Sequence, residues 1–402
     1  MTAGWVERAL AEHKRHDESG AHAEHPPGGE PETVPERRGS PQPLPGTVRE
    51  ELVLERIDRA RRARPRVRED RITMSHGAGG KATQSLVEAI FLDAFRNPLL
   101  EPLEDAARID VAGSRLAMTT DSYVVSPLFF PGGSIGDLAV NGTVNDLTTA
   151  GAEPLYLSAG FILEEGFPVE DLTAITASMR EAAAAAGVRI VTGDTKVVEK
   201  GKADGCYINT AGVGLVRAGV DLGVARARPG DAILVSGPIG DHGVTILLAR
   251  GELDIEADIS SDTTPLNGLV SALLAAVPGV RALRDATRGG VATILNEIAR
   301  AADVGVLVSE DAIPVRETVR GAAELLGIDP LYVACEGRMV VVADGACADA
   351  ALEALRAHRD GTHAAVIGRV TAEPRGIVQL KTAFGGTRIV DLLVGDPLPR
   401  IC

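Results

Sequence analysis

Hydrophobic and polar positions fall into globular order from Ile72 onward. The glycine-rich stretch SHGAGGK feeds a helix in which Leu86, Ile90 and Ala94 recur at helical spacing. SRLAMTTDSYVV predicts a strand that ends at Asp121. SIGDLAVNGTVNDLTTAGAEP predicts a helix, with Ser134 as its N-cap, Gly151 as its C-cap and Pro154 beyond the stop. PLYLSAGFIL, VRIVTGDTKVV and CYINTAGVGLV predict strands, with a helix over VEDLTAITASMREAAAAAG between the first two. A second half opens after Val220, where RPGDAILVSGPIGDHGVTILLA reads as strand, glycine loop and helix. RDATRGGVATILNEIARAADVGVLV repeats that grammar as loop, glycine pair, helix and strand. LYVACEGRMVVVA predicts two short strands meeting at Glu336–Gly337, DAALEALRAHRDG a helix and AAVIGRV a strand. This mixed order predicts an α+β fold rather than a strict parallel wind. The divisions expected are an extension over 1–70, domains over 71–220 and 221–390, and a tail over 391–402.

Composition narrows the picture. The 402 residues suffice for two domains, and only 3% are aromatic, so the cores must be built from Ala, Val, Leu and Ile. A net charge of −15 argues against nucleic-acid or anionic-membrane partners. It leaves room for an anionic ligand held by helix N-termini or local cations. No apolar run reaches the roughly 18 residues of a membrane span, and no secretory h-region opens the chain, so the cytoplasm is the expected compartment. The segment from His13 to Pro45 has little to bury and reads as disordered, whereas 48–66 reads as a charged helix. His13, His16, His22 and His25 form either a solvated tail or a weak metal tract.

Candidate chemistry lies in acids, glycines and one thiol. Asp121, Asp146 and Asp194 stand on or beside regular elements, where carboxylates can converge on a hard cation and its phosphate or simply cap turns. Asp137, Asn141, Asn145 and Thr148 share one helix face, which either meets a ligand or is wet. Lys196 follows Asp194 by two residues, so both point to one side of a strand, as a phosphate-neutralising or proton-transferring pair or as a surface ion pair. HGAGGK, GPIGDHG and DATRGG are turns or phosphate cradles; none is a Walker-type loop. His242 is either a core histidine or a catalytic one. Cys402 ends an arm stiffened by Pro397 and Pro399, suited to carry a group between sites, and Arg400 beside it is expected to favour the thiolate.

Together TTDSYVVSPLFFPGG, GTVNDLTTAGAEPLYLSAGFILEEGF, IVTGDTKVV, GDHG, DATRGG, EGR and the closing PRIC resemble the HypE family of hydrogenase maturation proteins, over residues 72 to 402. That family is similar to aminoimidazole ribonucleotide synthetase, thiamine-monophosphate kinase and selenophosphate synthetase. The resemblance implies a two-domain ATP-binding fold, with an N-terminal mixed sheet that pairs into a dimeric β-barrel and a C-terminal α/β sandwich. It implies Mg²⁺ on Asp121, Asp146 and Asp194, with ATP also at Asn145, Thr195, Gly79 and Gly80. It implies that HypF, a carbamoyltransferase, loads Cys402, and that the loaded group is dehydrated to thiocyanate. Lys196 and Glu336 are the implied proton carriers, and a HypC–HypD complex is the implied acceptor of cyanide. The extension over 1–70 inherits no role, and Met74 is an alternative start. Cys335 stands where the resemblance leads one to expect Asn, and is expected to be inert. Selenophosphate synthetase, the nearest rival enzyme, would place its thiol in the first glycine loop, where SHGAGGK has none. A non-catalytic scaffold would not need the acids.

Overall fold

The computed structural model describes residues 67, 69–251, 257–395 and 400–402. The expected disorder and charged helix of the extension lie outside the described residues. Two large sheets organise the rest, one in each half of the chain, with a short two-stranded ribbon of Phe129–Phe130 and Gly133–Ser134 beside the first.

In the first half β1 (Ala107–Val111), β2 (Ser114–Tyr123), helix α1 (Ile135–Thr149), β3 (Ala152–Glu164), helix α2 (Val169–Ala186), β4 (Arg189–Val198) and β5 (Cys206–Val216) follow one another. They form a five-stranded mixed sheet in the order β1-β2-β5-β3-β4, with only β3 and β4 parallel. Ser134 starts α1 as expected: its oxygen accepts from Gly136 N–H at 3.1 Å, and its own N–H donates to Asp137 Oδ2 at 2.8 Å. The C-cap is Ala150, and Gly151 follows in the left-handed region at φ +72°.

Helix α1 is not a wet surface helix. Every residue except Asp137 and Asp146 is buried, because the sheet, α2 and segments of the second half enclose it. Small residues permit this. A Cβ on Gly136 would lie 2.5 Å from Ile175 O of α2, and one on Gly212 of β5 would lie 2.8 Å from side chains of α1. The other face of the sheet is open and carries an apolar patch, with Met118, Tyr156, Ile162 and Leu215 all exposed.

The second half holds β6 (Ala232–Val235), helix α3 (Asp241–Ala249), α4 (Asn267–Ala276), β7 (Val280–Asp285), α5 (Gly290–Ala301), β8 (Gly305–Ser309), α6 (Glu317–Leu326), β9 (Met339–Ala343), α7 (Ala348–Arg356), β10 (Ala365–Thr371), β11 (Val378–Lys381) and β12 (Thr387–Val390). Its sheet order is β12-β11-β8-β10-β6-β9-β7. The central strands β6 and β9 are buried throughout. Ile233 and Val340 face α5 in one apolar layer, and Leu234 and Val341 face α4 and α7 in the other, as strand alternation requires.

Three element predictions need correction. Strand β2 runs past Asp121 to Tyr123. LYVACEGRMVVVA holds one strand, not two. Before it, Pro330–Tyr332 forms a single 3₁₀ turn, and the backbone that follows is tied to other loops: Cys335 N–H donates to Ala286 O and Glu336 N–H to Asp262 Oδ1. The helix after the first glycine loop exists, over Lys81–Leu86, Val87–Phe91 and Leu92–Phe95, but its middle stretch is a π-turn. That turn shifts the phase, so Leu92 is buried while Ile90 and Phe95 are exposed.

Candidate active site where the two halves meet

Strand β2 ends by feeding residues 124–126 alongside residues 400–402. Val124 N–H donates to Cys402 O at 3.0 Å and Ser126 N–H to Arg400 O at 3.2 Å, while Arg400 Nε donates to Val124 O at 3.0 Å. Arg250 adds bonds to Ser126 O at 2.8 Å and Arg400 O at 2.6 Å. Ile401 inserts among Val244, Val333 and Ala334 of the core and is 4% exposed. The result places the Cys402 sulfur, partly buried, in a cavity of about 120 Å³ lined also by Gly77, Ala78, Ser122, Arg288 and Gly289.

Two of the glycine-rich loops build the rim. Arg288 Nη1 donates to Gly77 O at 2.9 Å, and Thr293 Oγ1 donates to Gly79 O at 3.3 Å. A Cβ on Gly79 would lie 2.6 Å from Arg288 O, and one on Gly80 2.4 Å from Leu393 O. These glycines therefore allow close contact between loops. The third loop carries His242, whose role is protein-facing: it is fully buried, and burial lowers its pKa to about 4.

Behind the thiol lies a group of carboxylates from both halves. Asp121 comes from β2, Asp146 from α1, Asp285 from the end of β7, Glu336 from the loop before β9, and Asp105 precedes β1. Burial is the largest cause that pushes the Asp146 carboxyl well above the usual range, and repulsion from Asp285, Asp105 and Asp121 adds to it. Asp285 is raised in the same way, by burial and then by Asp105, with Arg284 opposing. Glu336 is raised by burial first and then by Asp285, Asp121 and Asp262, with Arg288 opposing. Glu336 Oε1 and Asp105 Oδ2 have no hydrogen-bond partner. Thr119 Oγ1 donates to Asp146 Oδ2 at 2.9 Å, and Arg284 pairs with Asp105, Glu104 and Glu297.

These residues fit Mg²⁺ by their chemistry. They offer hard oxygen donors in excess, two of them unbonded, where a divalent cation would relieve mutual repulsion. Among the described residues no three ligand-type side chains are gathered into a closed set. Mg²⁺ with phosphate needs only one or two carboxylates, because it keeps several waters.

The structure brings together Asp121, Asp146, Glu336 and Cys402 but not Asp194, Thr195 and Lys196. Asp121 pairs with Thr210, whose buried side chain faces α1. Asp194 pairs with Gly160 and Lys196 with Ile162, on the opposite, outer face of the sheet. Asp194 also lies three strands from Asp121, roughly 14 Å at ordinary strand spacing. There it forms an exposed ion pair with Lys196, the principal reason its carboxyl is held below the usual range. Asn145 is also committed. Its Nδ2 donates to Thr264 O at 3.1 Å and its Oδ1 accepts from Leu266 N–H at 2.7 Å, so it ties the halves together.

The expected thiolate is reversed. Burial raises the Cys402 thiol pKa, with Glu336, Asp121 and Asp285 adding to the rise. Arg400 is engaged by Asp204 and Val124 O, and the guanidinium that lowers the thiol pKa is Arg288. Cys335 Sγ accepts from Gly240 N–H at 3.2 Å in the core. Asp285 and Arg288 stand inside DATRGG, where the glycines alone signal a loop, and no local pattern marks Asp105.

The family models AIR synthase related protein, N-terminal domain, and AIR synthase related protein, C-terminal domain, match residues 103–216 and 228–381. The chain is 56% identical to carbamoyl dehydratase HypE of Azotobacter vinelandii, over 84% of this chain and 98% of that one. It belongs to the HypE family. HypE of Escherichia coli is 50% identical over 82% of this chain and 99% of its own. A crystal structure of HypE in complex with ATP superposes with a TM-score of 0.70 at 50% identity, over 83% of this chain and all of that one. A HypE–HypF complex gives a TM-score of 0.73 at 49% identity, over 77% and 99%. Thiamine monophosphate kinase of Aquifex aeolicus shares the fold alone, at 17% identity and a TM-score of 0.57 over 75% and 96%.

Burial and then like-charge repulsion raise the Asp146 carboxyl, so its folded pKa exceeds its unfolded one, and the residue costs stability increasingly as pH rises above about 4. Asp146→Asn keeps the acceptor for Thr119 and removes the charge. Its ligand-free unfolding midpoint at pH 7 should rise, by about 1 kcal/mol of stability, and the gain should vanish near pH 4. Thermal unfolding across that pH range measures both.

Proposed function

We propose that this chain uses ATP to dehydrate a carbamoyl group carried on the Cys402 sulfur to a thiocyanate, which supplies the cyanide ligands of the [NiFe]-hydrogenase iron. The observation that carries the reading is the position of Cys402 in a cavity lined by a cation, Arg288, with the carboxylates of Glu336, Asp121 and Asp285 close enough to act on its thiol. Relatives at 50–56% identity that bear the name carbamoyl dehydratase support it, as does the HypE structure with ATP.

An amide oxygen is a poor leaving group. Attack of that oxygen on the γ-phosphorus expels ADP and leaves a phosphorylated carbamimidate on sulfur. The carbon–oxygen bond then breaks, phosphate departs with the electron pair, and carbon and nitrogen close to C≡N. Two protons leave nitrogen in all; one stays on phosphate and one is released. Mg²⁺, when bound by Asp121 and Asp146, would spread the phosphoryl charge. Arg288 faces the thiol and can balance negative charge that develops there. Glu336 is 3% exposed and has a free oxygen, so it can take an amide proton once neighbouring charge is neutralised. Water would compete for the activated carbon, and a tail docked through buried Ile401 would help to keep it out.

The same reading includes a homodimer. Strand β1 pairs only with Ser114–Met118 of β2, so Thr119–Tyr123 has one edge without a strand partner among the described residues, as does β4. A second copy's β4 laid on that edge would close a barrel, cover the apolar patch and bring Asp194, Thr195 and Lys196 beside Asp121. HypF would load the carbamoyl group, in keeping with the HypE–HypF complex, and a HypC–HypD complex would receive the cyanide. A reducing cytoplasm would keep the acceptor thiol free. No helix of the described residues is long and apolar enough to cross a membrane.

Mass spectrometry of the C-terminal peptide from ATP-treated carbamoylated protein should show loss of one water. Glu336→Gln should slow that loss at least about 100-fold. Retention of the intact carbamoyl group while ATP is consumed would sink the reading. The dimer is tested by mixing inactive Lys196→Ala and Cys402→Ala proteins. Mixed dimers should regain roughly a quarter to a half of wild-type turnover if Lys196 acts across the interface, and none if it acts within its own chain.

A further inference from the structure

His242 lies in the first turn of α3 and is 0% exposed. Its Nε2 is 2.7 Å from Ile401 O, and its Nδ1 is 2.8 Å from Ser261 Oγ. A carbonyl oxygen can only accept, so Nε2 carries the proton and Nδ1 is left as an acceptor. The Ser261 hydroxyl supplies the matching donor, and its oxygen in turn accepts from Thr263 N–H at 3.1 Å. Phe130 packs edge-on against the ring, with centroids 5.6 Å apart. The imidazole therefore has one orientation and one tautomer, both aimed at the residue that precedes the reactive cysteine.

Residues 124–126 hold the same tail through backbone N–H groups. Those groups lie at partly open positions, apart from buried Val125, and water can replace the tail there. His242 is enclosed. When the tail leaves, its N–H is stranded unless the pocket opens or floods, and an unmade buried hydrogen bond is costly. We propose that His242 is a positioning residue: its bond to the Ile401 carbonyl holds the tail docked and sets how long the Cys402 carbamoyl group stays at the ATP site. The inference rests on the dehydratase reading for its consequence in turnover, but the docking itself does not depend on that reading.

The test compares His242→Leu, which fills the space without a donor, with His242→Gln, whose amide nitrogen can donate in place of Nε2. Two rates are measured. One is iodoacetamide alkylation of unmodified Cys402, read on the C-terminal peptide so that the other cysteines do not interfere. The other is single-turnover water loss from carbamoylated protein at saturating ATP. His242→Leu should alkylate about tenfold faster and dehydrate about tenfold slower, the effect expected for one buried hydrogen bond. His242→Gln should return both rates to within about threefold of wild type. ATP affinity should not change. If His242→Leu proves unfolded by thermal scan, Ser261→Ala carries the same test through the lost tautomer lock, with about a threefold increase in alkylation expected. Unchanged alkylation in a folded variant overturns the proposal. Faster alkylation in a series where no protein, wild type included, loses water upholds the docking role and overturns the dehydratase reading instead.

Discussion

Like charge held at close range in a poorly solvated place is the constraint on which the structure turns. Asp105, Asp121, Asp146, Asp285 and Glu336 arrive from both halves of the chain, and the guanidiniums of Arg284 and Arg288 do not neutralise them all. A folded protein tolerates such a cluster at a cost in stability, and functional sites are where that compromise is found. The fold concentrates the charge because α1 is buried on every side and brings Asp146 to the end of β2. The burial and crowding that raise the Asp146, Asp285 and Glu336 carboxyls also raise the Cys402 thiol, so the resting sulfur is kept protonated. A site that favours neutral sulfur and holds more carboxylates than guanidiniums is suited to an incoming cation with phosphate.

Much of the fold was legible in the chain itself. Ser134 and the apolar run behind it mark the start of α1 through capping chemistry, and α1 begins there, with Asp137, which reads as part of a polar face, closing the cap. The strand–glycine–helix grammar of the second half also reads correctly at β6 and α3. The burial of α1 was not legible, since its Asn and Thr residues mimic a solvated stripe. Asn145 and Asn141 are instead bonded to residues 263–266, a contact that no local pattern encodes.

The site was legible in part, for a related reason. Asp121, Asp146, Glu336 and Cys402 converge; the surroundings of Asp121, Asp146 and Cys402 in the chain mark them, whereas only the family resemblance marks Glu336. Asp194 and Lys196 fall on the far face because a strand's faces are fixed by its pairing register, which spacing alone does not give. Asp105 lies in an irregular stretch with no periodicity to expose it, and Asp285 was masked by the glycines that follow it. The contribution of Arg400 was misjudged because neighbours in sequence need not be neighbours in field: its charge is taken up by Asp204.

The central claim is that the sulfur of Cys402 reacts where it is seen to dock. Infrared spectroscopy of protein whose Cys402 carries a ¹³C-labelled carbamoyl group tests this most directly. Addition of Mg²⁺ and ATP should produce a nitrile band at the isotopically shifted position, formed at the rate of ADP release. ADP release with no nitrile band from a fully carbamoylated sample would contradict the account.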